Sequence, residues 1–183
     1  MSVSSEELSS TLGDETMISV LRKHVQDKGD QVLYHFLDVA PESKNTLTYR
    51  ELYEAAEILA GHLLLRHKKG DRALMLYESS ADFIIAFFAC LMSGVVAVPA
   101  YPPRKNQKMD RLSKLIVDAD ASVIMTTTKI ASISITHFQE NELFKGIQLL
   151  VSDDIAPLDV MPEFPEIHPD DLAFLQYSSG STG

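Results

Sequence analysis

A run of small hydroxyl and glycine residues, which we term the Ser/Gly loop, has the composition best suited to chemistry in this chain. It follows the apolar stretch 172–177 and consists of Ser178, Ser179, Gly180, Ser181, Thr182 and Gly183. Glycines let a backbone curl until several amides face one anion, and hydroxyls add short donors of their own. The loop is therefore a candidate cradle for a phosphate or polyphosphate.

The spacing within the Ser/Gly loop differs from that of two other phosphate-binding motifs. A P-loop needs Lys followed by Ser or Thr after its second glycine, and the dinucleotide fingerprint needs glycines at its first, third and sixth positions. This loop has only Gly180 and Gly183, with hydroxyl residues elsewhere. Composition alone is also typical of a flexible turn or linker, and on composition alone that interpretation is favoured.

Short apolar stretches alternate with helical patterns along most of the chain. Helical periodicity covers 82–92, 109–117 and, more weakly, 130–144, and the apolar stretches typical of buried strands are 73–77, 95–98, 122–126, 146–151 and 172–177. Strands without polar alternation are covered by helices on both faces, as in parallel sheets. The predicted fold class is α/β, with a largely parallel sheet flanked by helices.

The amino-terminal third is predicted to carry two helices and a pair of short strands. Residues 1–16 are Ser-rich and acidic and are interpreted as a flexible tail. The first helix is predicted to end at Gly29 and to precede strands over 31–37 and 47–49. Thr48 and Glu51 match a capping box that begins the second helix, which we expect to stop at Gly70.

An acidic connector with four prolines spans residues 152–171. Because proline disfavours helix in itself and in the residue before it, we expect the connector to run extended over the surface. The predicted organisation is a flexible tail over 1–16 and one folded unit over 17–183, with the connector inside it.

Charge and composition exclude several classes of protein. The net charge is −10, which argues against a nucleic-acid partner, because phosphate backbones require clustered Lys and Arg. The single cysteine, Cys90, lies in an apolar run and is predicted to be a buried core residue. The stretch 83–101 has no charged residue, but Ser93-Gly94 and three following prolines favour a helix, a turn and a strand over a membrane span. We therefore expect a cytoplasmic protein without a transmembrane segment and, since the histidines lack ligand spacing, without a metal site of its own.

Two stretches resemble a known family. Residues 172–183 resemble the ATP phosphate-binding signature of the adenylate-forming superfamily, which includes acyl-CoA synthetases, luciferases and peptide-synthetase adenylation domains. Their first half, Phe-Leu-Gln-Tyr at 174–177, looks like the fatty acyl-AMP ligase branch. Residues 94–104 are similar to a segment characteristic of those ligases, and 47–52 and 70–74 match less specifically. The resemblance covers 16–183, although the family usually has Thr where this chain has Ser178.

The resemblance implies a fold, a reaction and a set of ligands. The chain would be a partial amino-terminal adenylation subdomain ending inside its phosphate-binding loop, with residues 178–183 as ATP-binding groups. The intact enzyme would use ATP and Mg to convert a fatty acid into an acyl-adenylate, and would pass the acyl group to an acyl carrier protein. No catalytic residue is assigned, because the family's Lys and later motifs follow the loop. This chain alone is therefore expected to be inactive.

Two other functions stay open from the sequence. One is an AMP-forming acyl-CoA synthetase or related adenylation enzyme, whose distinguishing sequence lies beyond Gly183. The other is a non-catalytic module that only binds a partner. A basic cluster could meet an acidic carrier protein, but a solvated helix face is the more typical interpretation; it comprises Arg104, Lys105, Lys108, Arg111 and Lys114.

Overall fold

The structure, a computed structural model, describes residues 15–37, 45–102, 110–133, 144 and 146–178. The predicted tail over 1–16 falls outside this part of the chain, apart from its last two residues. In chain order the elements are α1 (Met17–Lys28), β1 (Val32–His35), β2 (Thr46–Thr48), α2 (Tyr49–Leu64), β3 (Arg72–Leu76), α3 (Ala81–Ser93), β4 (Val96–Ala100), α4 (Asp110–Ala119), β5 (Ala121–Thr126) and β6 (Gln148–Val151).

Four of the strands form a parallel sheet in the order β4-β3-β5-β6. In the central strand β3, Leu74 pairs with Val98 of β4 on one side and with Ile124 of β5 on the other. Parallel strands need long crossovers, which α3 and α4 supply. The predicted α/β class, with a largely parallel sheet flanked by helices, is confirmed.

Side chains of the strands enter two separate cores, one on each face of the sheet. Ala73 and Met75 of β3 point into the core shared with α1, α2 and α3, whereas Leu74 and Leu76 point into the core shared with α4. All four are fully buried. Because both faces of the sheet are covered, these strands consist of consecutive apolar residues, which is the pattern visible in the sequence.

The uncharged stretch 83–101 is divided by a left-handed turn. Helix α3 ends at Ser93, Gly94 has a φ of 69°, and β4 follows from Val96. A left-handed residue after a helix favours glycine, which has no Cβ to clash. Among the described residues, no helix combines the length and the apolar character that crossing a bilayer requires.

The predicted start of α2 is correct, but its predicted end is wrong. The amide of Glu51 donates to the Thr48 hydroxyl (3.2 Å), and the amide of Thr48 donates to the Glu51 carboxylate (3.0 Å). The helix ends at Leu64 rather than at Gly70, because the Leu63 carbonyl accepts hydrogen bonds from the amides of both Arg66 and His67 and closes the last turn.

Two other elements also differ in extent from the sequence-based prediction. Strands β1 and β2 form a separate antiparallel pair, and β1 is mostly exposed rather than half-buried. Of the weakly patterned helix over 130–144, residues 128–133 are helical and Phe144 is buried, while the intervening residues lie outside the described part.

The connector over 152–171, which we call the strap, contains no helix or strand, and all its acidic residues except Asp171 are exposed. It is nevertheless packed: Ile155 and Phe164 lie against the core beneath α2 and α3. At Gly61 of α2, a Cβ would stand 2.7 Å from the Met161 methyl group, so the missing side chain allows the strap to approach closely. The strap thus carries the chain from β6 back across the helices to β4.

Candidate functional site

The stretch before the Ser/Gly loop lies along the free lateral edge of β4. The Ala97 amide donates to the Ala173 carbonyl (3.0 Å), and the Leu175 amide donates to the Ala97 carbonyl (2.8 Å). These two hydrogen bonds form a parallel bridge between Ala97 and Phe174. The strand predicted over 172–177 is therefore reduced to a single bridge, but its direction and its place beside the parallel sheet agree with the prediction.

Successive side chains of this stretch contact opposite layers of the molecule. The ring of Phe174 packs edge-on against Phe87 of α3, with centroids 5.8 Å apart. Leu175 and Tyr177 pack against the core shared with α4. The alternation is that of a β-strand, although the backbone pairs with β4 at one residue only.

Tyr177, the last residue before the loop, is tied to α4 by its hydroxyl. The Tyr177 hydroxyl donates to the Asp118 carboxylate at 2.5 Å. This hydrogen bond, followed by burial and the negative charge of Asp118, raises the pKa of Tyr177, so the phenol stays protonated and acts as the donor.

The parallel bridge directs the chain toward the carboxyl end of the sheet as it approaches the Ser/Gly loop. Phe174 lies beside Ala97, the second residue of β4, and no further backbone pairing with β4 follows it within the described residues. Ser178 is exposed, and Tyr101 is 88% exposed. Ligands of open α/β sheets bind outside the carboxyl ends of the strands. The other predicted site residues, Ser179 to Gly183, lie outside the described residues.

A polar rim surrounds the same end of the sheet. The Tyr77 hydroxyl donates to the Ser152 hydroxyl (3.0 Å), which in turn donates to the Thr126 carbonyl (3.1 Å). Thr128 donates to the Asp153 carboxylate through both its amide (2.7 Å) and its hydroxyl (3.0 Å). The sequence reasoning missed these groups, although each hydroxyl or carboxylate comes at or just after the end of an apolar stretch.

Burial perturbs two ionisable groups beside this rim. Burial, and then the charge of Asp153, raises the pKa of the Asp82 carboxyl in the first turn of α3. Burial also raises the pKa of the Tyr77 hydroxyl, so this group stays a hydrogen-bond donor. The rim is therefore a place where negative charge is disfavoured unless a cation or donor accompanies it.

The remaining candidates are structural or fall outside the described part. Cys90 is fully buried, and burial raises the pKa of its thiol to about 12, which confirms its predicted place in the core. No group of three or more potential metal-ligating side chains occurs within the ranges that the structure describes. In the basic cluster only the side chain of Lys114 is described, and it is exposed.

A comparison with protein families explains this arrangement of sheet, strap and loop. The family described as AMP-binding enzyme matches residues 21–183, which is most of the chain. This chain belongs to the AMP-binding enzyme family. The resemblance predicted from residues 94–104 and 172–183 is thereby confirmed.

Relatives within the AMP-binding enzyme family include fatty acid ligases. The chain is 38% identical over 172 residues to the medium-chain-fatty-acid–acyl-carrier-protein ligase JamA of Moorena producens, a match that covers 91% of this chain and 29% of JamA. It is 29% identical to the long-chain-fatty-acid–AMP ligase FadD26 of Mycobacterium tuberculosis (strain ATCC 25618 / H37Rv), over 92% of this chain and 30% of FadD26.

A solved structure has the same architecture. The fatty acyl-adenylate ligase of L. pneumophila, determined in complex with acyl adenylate and pyrophosphate, superimposes with a TM-score of 0.78 and 26% identity. The match covers 99% of this chain and 30% of that ligase. The chain therefore spans about 30% of the length of the relatives it matches.

Proposed function

We propose that this chain forms the phosphate-binding side of an enzyme that activates a fatty acid with ATP. One observation carries the proposal: the chain runs parallel to β4 at Phe174, so it heads toward the carboxyl end of the sheet as it approaches the Ser/Gly loop. The fatty acid ligases among its relatives support the choice of substrate. In this proposal, residues 17–183 are part of the amino-terminal adenylation subdomain and residues 1–16 are a flexible tail.

In the proposed reaction, the protein stabilises the negative charge that shifts along the polyphosphate of ATP. A fatty acid carboxylate attacks the α-phosphorus of ATP, the bond to the β-phosphate oxygen breaks, and acyl-adenylate and pyrophosphate result. The Ser/Gly loop, residues 178–183, would donate amide and hydroxyl hydrogen bonds to the phosphate oxygens while negative charge shifts toward the leaving pyrophosphate. The residues suit this role, because glycine admits close approach and hydroxyls are short donors.

Magnesium would enter with the nucleotide rather than through a site built by this part of the chain. Mg²⁺ commonly binds substrate phosphates together with one or two carboxylates. The portion that the structure describes contains no cluster of three potential metal ligands. We therefore propose Mg–ATP as the bound species and assign no residue of this chain to the metal.

An acyl carrier protein is the proposed acceptor, in a cytoplasmic setting. A thiol of the carrier would attack the acyl carbonyl and release AMP. The relative JamA is an acyl-carrier-protein ligase by name, which favours this acceptor. A CoA thiol is the second candidate, because the chain is also 30% identical to the putative fatty-acid–CoA ligase FadD21 of Mycobacterium tuberculosis.

The phosphate-binding assignment can be tested by labelling glycine alone. The chain has eight glycines, of which Gly180 and Gly183 lie in the loop, whereas Gly70 and Gly146 lie near the amino end of the sheet. In ¹H–¹⁵N spectra of the ¹⁵N-glycine-labelled chain, inorganic tripolyphosphate should shift the resonances of Gly180 and Gly183 and leave those of Gly70 and Gly146 in place. Equal shifts at all four would refute the assignment.

Catalysis needs groups beyond the loop, so we expect the chain alone to be inactive. An assay of fatty-acid-dependent ATP–pyrophosphate exchange should give no signal above that of a no-protein control. Exchange that depends on the chain, on ATP and on a fatty acid would show that these residues suffice, and would overturn this expectation.

A further inference from the structure

The contact between Tyr177 and Asp118 joins the loop to a distant helix. The hydroxyl and the carboxylate are 59 residues apart in the sequence, and their oxygens lie 2.5 Å apart. A hydrogen bond from a hydroxyl to an ionised carboxylate is shorter and stronger than one between neutral groups. Tyr177 directly precedes Ser178, so the contact acts on the chain at the entrance to the Ser/Gly loop.

Asp118 occupies a position that is unfavourable for its own helix. It lies in the last turn of α4 (Asp110–Ala119), a turn fully within the described residues that contains no basic side chain. Carbonyl groups at the carboxyl terminus of a helix repel a carboxylate. Local conflicts of this kind are expected at functional sites, where the residue serves something other than the helix. The Tyr177 hydroxyl is the partner that the structure gives to Asp118.

The backbone alone fixes the loop entrance only weakly. The stretch 172–177 makes a single bridge to β4, between Phe174 and Ala97. Beyond Phe174 the course of the chain depends on side chains, with Phe174 held by Phe87 of α3 and Tyr177 held by Asp118 of α4. These two anchors come from opposite faces of the sheet, and of the two, Tyr177 is next to the loop.

We infer that Tyr177 and Asp118 form a positioning pair that fixes the direction in which the chain enters the phosphate-binding loop, an inference that rests on the proposed function of that loop. Neither residue touches phosphate in this scheme. The pair acts through Ser178 and the residues after it, by limiting the orientations of the loop before the anion arrives. Such preorganisation strengthens binding because less conformational freedom is lost when the anion binds.

The test compares two tyrosines whose hydroxyls each bond to a charged side chain in a different part of the fold. Tyr177→Phe removes the hydroxyl and keeps the ring. Tyr53→Phe, on α2, is the matched control, because it also removes one hydrogen bond with a charged partner: the Tyr53 hydroxyl accepts from the Arg22 guanidinium of α1 (3.1 Å). We expect Tyr177→Phe to weaken tripolyphosphate binding about three- to tenfold, which corresponds to about 1 kcal/mol, the typical net contribution of one hydrogen bond. The urea midpoint should fall no further than in Tyr53→Phe.

Substitutions at Asp118 separate pairing from general destabilisation. Asp118→Asn keeps an acceptor oxygen and should retain most of the affinity, whereas Asp118→Ala should match Tyr177→Phe. The double variant Tyr177→Phe/Asp118→Ala should bind no more weakly than either single variant, because each removes the same interaction. Losses that add in the double variant, or unchanged affinity in Tyr177→Phe, would overturn the inference.

A second measurement distinguishes a failure of the positioning pair from a failure of the loop's proposed function. The heteronuclear ¹H–¹⁵N NOE of Gly180 and Gly183 reports fast backbone motion without any ligand. If the unsubstituted chain binds no tripolyphosphate, the proposed function fails and the NOE decides on the pair. A lower NOE at both glycines in Tyr177→Phe, but not in Tyr53→Phe, supports the positioning pair; an unchanged NOE refutes it.

Discussion

The two ends of the parallel sheet are built in different ways. At the amino end, the guanidinium of Arg72 donates to the carbonyl oxygens of Ala119 (2.8 Å), Asp120 (2.6 Å) and Gly70 (3.1 Å). These bonds use side-chain donors to satisfy the backbone at the end of α4 and in two turns. At the carboxyl end, side chains bond mainly to one another, as in the contacts Tyr77–Ser152 and Thr128–Asp153.

The two ends also treat carboxylates in opposite ways. Asp171, near the amino end, accepts a hydrogen bond from the His168 amide (2.6 Å) and pairs with Lys69 (2.5 Å), and these contacts lower its pKa. Asp82, at the carboxyl end, has its pKa raised by burial and by Asp153. Asp171 is thus stabilised in its ionised form, whereas ionisation of Asp82 is disfavoured. Under the proposed function, the amino end maintains the fold and the carboxyl end faces the ligand.

The largest effect should come from truncating a core side chain in the middle of the sheet, between the two ends. Leu74 is fully buried in the middle of β3. Leu74→Ala removes apolar contacts and leaves a cavity, so the free energy of unfolding should fall by about 3 kcal/mol. Urea denaturation measures this change. The matched control Val117→Ala, at a position that is 62% exposed on α4, should change it by less than about 0.5 kcal/mol.

Arg72 tests whether the amino end serves stability alone. Arg72→Ala removes hydrogen bonds from a charged donor to backbone carbonyls and should lower the free energy of unfolding by about 2 kcal/mol. In the folded variant, tripolyphosphate binding should fall no further than in Asp118→Ala, because the end of α4 that Arg72 holds carries Asp118. Arg50→Ala is the control, because Arg50 pairs with Asp30 on the exposed surface and should contribute less than about 1 kcal/mol. Weaker tripolyphosphate binding in folded Arg72→Ala than in Asp118→Ala would break the distinction between the two ends.

Two glycines show how closely the amino end is packed. Gly94 and Gly70 both have positive φ, but a Cβ at Gly94 would lie 2.8 Å from Cγ of Lys69, whereas a Cβ at Gly70 would meet no atom within 4 Å. Gly70→Ala should therefore cost about 1 kcal/mol through backbone strain alone, and Gly94→Ala about 2 kcal/mol through strain and crowding. Thermal and urea unfolding of the two variants measure both. Equal losses would mean that Lys69 moves aside freely.

The smallest effects should be two pH dependences of opposite sign. The pKa of Asp171 lies below its ordinary 3.8, so the stabilisation from its ionised form is present above pH 3.8 and is lost as pH falls through the lowered pKa. The pKa of Asp82 lies above 3.8, so ionisation costs stability, fully so once pH exceeds the raised pKa.

Asparagine substitutions at these two positions reveal the sign of each effect. At neutral pH, Asp171→Asn should unfold at lower urea than the unsubstituted chain, and Asp82→Asn should unfold at equal or higher urea. Both differences should shrink as the pH is lowered through the respective pKa. Urea midpoints measured from neutral to acidic pH test this, and two differences of the same sign would contradict the contrast between the ends.

Local patterns in the sequence were enough to predict the sheet and its helices. Consecutive apolar residues identified β3, β4 and β5, and Thr48 with Glu51 fixed the start of α2. These features depend on neighbours in the sequence, so composition and spacing reveal them. The end of α2 was predicted wrongly at Gly70, because a backbone turn at Leu63 ended the helix first.

Contacts between distant residues were beyond this reasoning. A proline-rich, acidic connector is typical of the protein surface. No local sequence pattern indicates that Ile155 and Phe164 pack against the core. The composition of the Ser/Gly loop was visible at once, but the direction in which the chain approaches the loop depends on the pairing of Phe174 with Ala97. The bond between Tyr177 and Asp118 depends on the same pairing. Tertiary register, rather than propensity, sets these positions.

The order of the strap after strands β3 to β6 has a consequence for biosynthesis. A ribosome releases the segments of β3, β4, β5 and β6 before it releases the strap, and the stretch that reaches the outer side of β4 emerges after all of them. Domains fold largely as their residues become available during translation. The stretch that leads into the Ser/Gly loop is therefore synthesised after the strands and helices against which it packs, so these partners can form before it arrives.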